Sequence, residues 1–64
     1  MAGDGFAGEL RRRREAAGLS REELAHRAQV SSQTIYRIET GRVVPTRATV
    51  AAIRRALGEA DGSQ

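Results

Sequence analysis

Apolar side chains recur every three to four residues through the middle of the chain, which is the spacing of a helix. This spacing predicts a first helix over Phe6–Ala17, with Phe6, Leu10 and Ala17 on one face. Gly18 follows at the position where helices commonly end in a left-handed residue. No segment has the strict alternation of a strand, so the pattern favours an all-α fold.

Three later helices share one start signal, a hydroxyl residue that can cap the helix and that stands between two apolar residues. The capping residues are Ser20, Ser31 and Thr46, and Glu23 completes a capping box with the first of them. The apolar pairs that can pack across these caps are Leu19 with Leu24, Val30 with Ile35, and Pro45 with Val50. The repeated signal predicts helices 2, 3 and 4.

The ends of the last two helices are predicted at glycines, Gly41 for helix 3 and Gly58 for helix 4. Helix 4 carries Val50, Ile53 and Leu57 at positions i, i+3 and i+7. Such a narrow apolar stripe can pack on one side of the helix. The expected architecture is therefore a compact bundle of short helices.

The connection between helices 2 and 3 is very short. From Ala28 to Ser32 the chain leaves three residues for the turn. Two helices joined so tightly cross at a steep angle, as in a helix-turn-helix. The second helix of that motif can enter the major groove of DNA.

Charge supports an anionic partner. The segment from Phe6 to Gly58 carries all eleven arginines and five acidic residues, so its net charge is +6, against +3 for the whole chain. Such a surplus is typical of proteins that bind nucleic acid, and it also suits a membrane surface or an acidic protein. Charge alone leaves these three partners open.

Composition excludes several classes of protein. The chain has no cysteine and one histidine, His26, so we expect no disulfide, no metal site and no cofactor. No apolar run is long enough for a membrane span or a signal peptide, and we expect a cytoplasmic, nucleoid-associated protein. No serine–histidine–aspartate catalytic set is predicted, because the aspartates lie near the termini, where they cannot hold an imidazole in place.

One domain is predicted over residues 6–58, with flexible tails at 1–5 and 59–64.

The stretch from Leu10 to Leu57 resembles the Cro/repressor (Xre-type) helix-turn-helix family. The resemblance rests on three pieces in the usual order and spacing, "REAAGLSREELA", "VSSQTIYRIETGR" and "PTRATVAAIRRALG". It implies a lambda-repressor-like bundle of four or five helices and sequence-specific binding of double-stranded DNA by a transcriptional regulator. The alternative is a protein-interaction module of the same fold, such as an antitoxin or an adaptor.

The resemblance also implies which residues contact DNA, with the recognition helix at about 31–40. Because Ile35 and Ile38 are expected to point inward, the base-reading set is Ser32, Gln33, Tyr36 and Arg37. Gln33 can bond an adenine edge and Arg37 a guanine edge, whereas Tyr36 could instead pack over the neighbouring loop. The expected phosphate-binding residues are Arg21, Ser31, Thr34, Thr40, Arg42 and Arg47. The run Arg11–Arg13 is open to either a phosphate role or a solvated helix face.

Other positions of the family pattern are structural. The residues that match buried positions are Leu24, Ala25, Ala28, Val30, Ile35 and Ile38. Arg14 and Glu39 match a structural ion pair. Gln29 stands where relatives usually have glycine, so a left-handed conformation there would cost about 1 kcal/mol.

Relatives usually bind DNA sites with two-fold symmetry, as dimers. Few apolar groups remain in this chain for pairing, so we expect a monomer or a weak homodimer that pairs on DNA. We expect no small-molecule ligand.

Overall fold

Four helices make up the protein in the computed structural model, which describes residues 5–60 and the side chains of residues 5–58. They are α1 (Gly5–Ala16), α2 (Arg21–Ala28), α3 (Ser32–Glu39) and α4 (Arg47–Ala60). Residues 5–60 contain no strand, and the predicted all-α fold with four helices is confirmed. Of the predicted tails at 1–5 and 59–64, residues 1–4 and 61–64 lie outside the described residues, whereas Gly5 begins α1 and residues 59 and 60 belong to α4.

The predicted end of helix 4 at Gly58 is wrong, because α4 continues through this residue to Ala60. Gly58 is not among the glycines with positive φ, which in the described part of the chain are Gly18 and Gly41. A glycine permits a left-handed helix end but does not impose one. Glu59 and Ala60 are good helix formers, so the helix extends over them.

All three predicted caps are confirmed. The Ser20 hydroxyl accepts a hydrogen bond from the Glu23 backbone N–H at 3.0 Å, and the Glu23 carboxylate accepts one from the Ser20 N–H at 2.8 Å. The bond from the Ser20 backbone N–H to the carboxylate lowers the pKa of Glu23, since it favours the charged form. Ser31 and Thr46 accept the backbone N–H three residues ahead, at 3.0 and 3.2 Å.

The core lies where the four helices meet. α2 packs against α3 and α4, and α1 packs against α3. The buried apolar residues are Leu10, Leu19, Leu24, Ala25, Ala28, Ile35, Ile38, Ile53, Ala56 and Leu57. Val30, which matches a buried position of the family, is partly buried, and Val50 of the predicted stripe is also half-buried. Because alanine carries a weak hydrophobic signal, the pattern did not single out Ala56.

The first three helices end in the same tight turn, in which one residue has positive φ. That residue is Gly18 after α1 and Gly41 after α3, with φ of 73° and 75°. After α2 it is Gln29, with φ of 62° and ψ of 41°. The Val30 N–H then donates to the Ala25 carbonyl at 2.9 Å, which closes the turn that leads into α3. Gln29 therefore adopts the strained conformation that the sequence implied, and the turn keeps its geometry.

Replacing Gln29 with glycine should stabilise the protein. Gln29→Gly removes the Cβ that penalises left-handed backbone and should raise the free energy of unfolding by about 0.5–1 kcal/mol. Gln29→Ala keeps a Cβ and should give no such gain. Urea denaturation followed by far-UV circular dichroism measures both. A loss of stability in the glycine variant would contradict the assignment of strain to this residue.

Candidate nucleic-acid interface

The orientation of α3 is set by two buried isoleucines. Ile35 and Ile38 are almost fully buried. The rotation that buries them leaves Gln33, Tyr36 and Arg37 exposed. The fourth residue predicted to read bases, Ser32, is half-buried at the first position of the helix. Three exposed polar side chains thus share the outer side of α3 with the hydroxyl of Ser32 near its start.

Hydroxyl groups hold both ends of α3. At the start, the Ser31 and Thr34 hydroxyls lie 2.8 Å apart and share a hydrogen bond. At the end, the Thr40 hydroxyl donates to the Tyr36 carbonyl at 2.9 Å. These are three of the residues predicted to bind phosphate. Their hydroxyls already serve the helix ends, so a phosphate would have to share or replace these bonds.

Glu39, the last residue of α3, forms an ion pair with Arg14 of α1. Arg14 Nε donates to Glu39 Oε2 at 2.6 Å and Arg14 Nη2 donates to Oε1 at 3.2 Å. Arg14 Nη1 also donates to the Leu19 carbonyl at 2.9 Å. The Glu39 side chain is only 2% exposed, and the hydrogen bond to its carboxylate raises the pKa of the Arg14 guanidinium. Arg14 is therefore held inside the fold and is not part of the exposed basic surface.

Arg21 makes two contacts that the sequence did not indicate. It was predicted to bind phosphate at the start of α2. In the structure its Nε donates to Glu39 Oε1 at 3.1 Å, and its guanidinium carbon lies 5.2 Å from the centre of the Tyr36 ring. Both partners are distant in sequence, so neither helical periodicity nor capping signals could have revealed these contacts.

An open groove runs between the starts of α2 and α3, beside this arginine. Its lining residues are Arg14, Ser20, Arg21, Glu22, Ser32, Gln33 and Tyr36. The groove joins residues predicted to read bases with a residue predicted to bind phosphate. Apart from the carboxylate of Glu22, the lining offers donors from hydroxyl, amide and guanidinium groups, a set that suits an anionic, hydrogen-bonding ligand.

Three further arginines near this surface carry unneutralised charge. Within the described residues, the side chains of Arg37, Arg42 and Arg47 make no hydrogen bond or ion pair. Arg42 lies in the turn after α3, and Arg47 is the first residue of α4. All three are exposed. Positive charge is therefore available along α3 and the connection that follows it.

Other arginines are paired with carboxylates. Arg54 of α4 donates two hydrogen bonds to Glu9 of α1, at 3.0 and 3.2 Å, and these bonds hold the pKa of Glu9 below its usual value. Arg13 lies 3.7 Å from the same carboxylate, and Arg11 pairs with Glu15 at 3.2 Å. The Arg54–Glu9 pair joins α1 to α4, and together these pairs neutralise part of the positive charge of the chain.

The described residues contain neither a helix of membrane-spanning length and hydropathy nor a group of three or more side chains arranged as metal ligands.

Removing the charge of Glu39 should destabilise the fold. Glu39→Gln leaves the buried Arg14 guanidinium without its counter-charge and should lower the free energy of unfolding by about 3 kcal/mol. Domains of this size have a total of about 3–10 kcal/mol, so the variant should keep about 0–7 kcal/mol and unfold at a clearly lower urea concentration than the wild type. Circular dichroism during urea denaturation measures the loss.

The matched control for this substitution is Glu15→Gln, which removes the same charge from an exposed pair with Arg11. It should cost less than about 0.5 kcal/mol. Equal losses in the two variants would show that the Arg14–Glu39 pair contributes no more than a surface pair.

Comparison with known proteins agrees with this architecture. Residues 6–63 match the family model described as "Helix-turn-helix domain". The chain is 45% identical over 49 residues to a protein of Methanothermobacter thermautotrophicus named an uncharacterized HTH-type transcriptional regulator, and the match covers 77% of this chain and 71% of that protein. No solved structure matches the chain. The match over residues 6–63, together with the short turn between α2 and α3, shows that this chain belongs to the helix-turn-helix domain family.

Proposed function

We propose that this protein is a transcriptional regulator of the Cro/repressor (Xre) type that binds double-stranded DNA sequence-specifically, with α3 in the major groove. The observation that carries the proposal is the exposed polar face of α3. A buried ion pair holds this helix, and nearby arginines have no partner among the described residues. The relative named as a transcriptional regulator supports the same class. Such a protein would act on the nucleoid in the cytoplasm, as a binding protein rather than an enzyme.

Base reading in this proposal rests on the exposed side chains of α3. Arg37 can donate two hydrogen bonds to the O6 and N7 atoms of guanine, and Gln33 can pair with the edge of adenine. Tyr36 offers a ring edge and a hydroxyl. Ser32 is short and half-buried, so its contact would be weak or would pass through a water molecule.

Phosphate contacts would surround these residues. Arg42 and Arg47 have no ionic partner in the part of the chain that the structure describes, and Arg21 retains exposed surface beside the groove. The backbone N–H groups and helix dipoles at the starts of α2 and α3 also favour a phosphate. Ser31, Thr34 and Thr40 would contribute by sharing their capping hydroxyls. With about six phosphate contacts, the logarithm of the binding constant should fall with the logarithm of salt concentration with a slope of about −5.

A protein-interaction module is the second candidate function, and one observation favours it. Val44, in the connection between α3 and α4, is 94% exposed, and its neighbour Val43 is also exposed. Contiguous exposed apolar patches mark surfaces that meet other proteins, and these two adjacent valines form a small patch. In this alternative the domain would serve as an antitoxin or an adaptor, and its arginines would confer no salt-dependent binding to duplex DNA.

Two arginine variants should separate base reading from phosphate binding. Sequences bound by the wild type are first selected from a random duplex pool, and affinities are then measured by fluorescence anisotropy at several salt concentrations. Arg37→Ala should cost about 1–3 kcal/mol on the selected sequence and relax preference at one base pair. Arg42→Ala should weaken all sequences alike and reduce the salt slope by about 1.

Arg55→Ala provides the control, because it removes an exposed arginine with no hydrogen bond or ion pair among the described residues, on α4. It should leave base preference unchanged. Absence of salt-dependent binding by the wild type, even at low salt, would contradict the proposed function and favour the protein-interaction module.

We also propose that the protein is a monomer or a weak dimer in solution and pairs on DNA. Apart from Tyr36, the large apolar residues exposed in the described part of the chain are Val43 and Val44, which is little surface for a stable dimer. Sedimentation at micromolar concentration should show mainly monomer without DNA and two copies on a two-fold site. A tight dimer without DNA would contradict this.

A further inference from the structure

Arg21 makes two contacts that differ in kind. Its Nε donates to the Glu39 carboxylate at 3.1 Å, and its guanidinium lies over the ring of Tyr36 at 5.2 Å. The Arg21 side chain is 42% exposed, whereas that of Glu39 is 2% exposed. Arg21 therefore bridges a buried carboxylate and an exposed aromatic ring.

The contact with Glu39 is not needed to neutralise that carboxylate. Arg14 already donates to both Glu39 oxygens, and its own third bond to the Leu19 carbonyl fixes its position. Arg21 adds a second positive charge to one carboxylate. The specific consequence of its bond to Glu39 is that its guanidinium is held over the Tyr36 ring.

Tyr36 would otherwise have considerable freedom. It is 43% exposed, and no hydrogen bond of its hydroxyl is present within the described residues. An exposed aromatic side chain on a helix has more than one staggered χ1 well open to it. A cation held over the ring face favours the well in which the ring lies beneath it. In that well the ring lines the groove with Ser32 and Gln33.

We propose that Arg21 is a positioning residue that fixes the Tyr36 ring at the groove and thereby sets the base preference of that tyrosine. The base preference rests on the proposed function, whereas the positioning of the ring does not. A planar guanidinium can hydrogen-bond Glu39 through its edge while stacking on Tyr36 through its face. A lysine ammonium carries the same charge but has neither the plane nor the fixed donor fork.

The first test needs no DNA. Tyr36 is the single tyrosine of a chain without tryptophan, so tyrosine fluorescence reports on this ring alone. Time-resolved fluorescence anisotropy of the full chain should show a fast depolarising component whose amplitude rises about twofold in Arg21→Lys. Arg27→Lys is the matched control, since it makes the same change on the same helix, and it should leave the amplitude unchanged.

Circular dichroism establishes that each variant is folded, and Arg21→Gln provides a second variant that also releases the ring if Arg21→Lys is poorly folded. An unchanged fast component in the folded Arg21 variants would overturn the proposal. This arm gives its answer whether or not the protein binds DNA.

The second test measures base preference on duplexes selected with the wild type. Because Arg21 is also proposed to contact phosphate, the readout is the ratio of the affinities for the selected duplex and for duplexes with one base pair changed. A uniform loss of phosphate contact leaves this ratio unchanged. Discrimination at one base pair should fall about fivefold or more, at the same base pair that Tyr36→Ala affects. Uniform weakening on all sequences with unchanged preference would assign Arg21 to phosphate contact alone and overturn the specificity claim. If the wild type does not bind DNA, the proposed function fails and the fluorescence arm still decides the positioning.

Discussion

The Glu39 carboxylate lies at the last turn of α3 with its side chain almost out of contact with water, and it is bonded by arginines from α1 and α2. A buried carboxylate without counter-charge would be costly, so α3 can take only a rotation that delivers Glu39 to Arg14. The same rotation buries Ile35 and Ile38 and turns Gln33 and Arg37 outward. The Arg14–Glu39 ion pair thus fixes which side of α3 packs on the core and, with it, which side chains of α3 face outward.

The arginines divide into two groups by what surrounds them. Those that make side-chain hydrogen bonds or ion pairs with described residues are Arg11, Arg13, Arg14, Arg21 and Arg54. The others are Arg12, Arg27, Arg37, Arg42, Arg47 and Arg55. The arginines of the first group connect α1 to α3 and α4, and they pair with the carboxylates of Glu9, Glu15 and Glu39. The net charge of the folded segment is therefore carried by a few exposed side chains, and those near α3 lie beside the residues that we propose read bases.

Much of the fold could be predicted because its signals are local. Ser20, Ser31 and Thr46 cap helices through residues three positions away, and Gly18 closes a turn next to its own helix. The Arg14–Glu39 pair spans 25 positions, and only family resemblance suggested it. The contacts of Arg21 had no signal of either kind, since they depend on how α2 and α3 meet. The end of α4 was misplaced because Gly58 is compatible with both a helix and its end. In this protein, hydrogen bonds within a helix end could be predicted from neighbouring residues. Contacts that long side chains make between helices could not be predicted in that way.

We propose that the exposed face of α3, held by Glu39, is the surface that meets DNA. Two-dimensional ¹⁵N–¹H correlation spectra of the labelled protein, recorded while a selected duplex is added, test it most directly. The largest shifts are expected on the amides of residues 31–37 and of Arg42 and Arg47. Shifts centred instead on Arg27 and Arg55, with the amides of α3 unchanged, would contradict it.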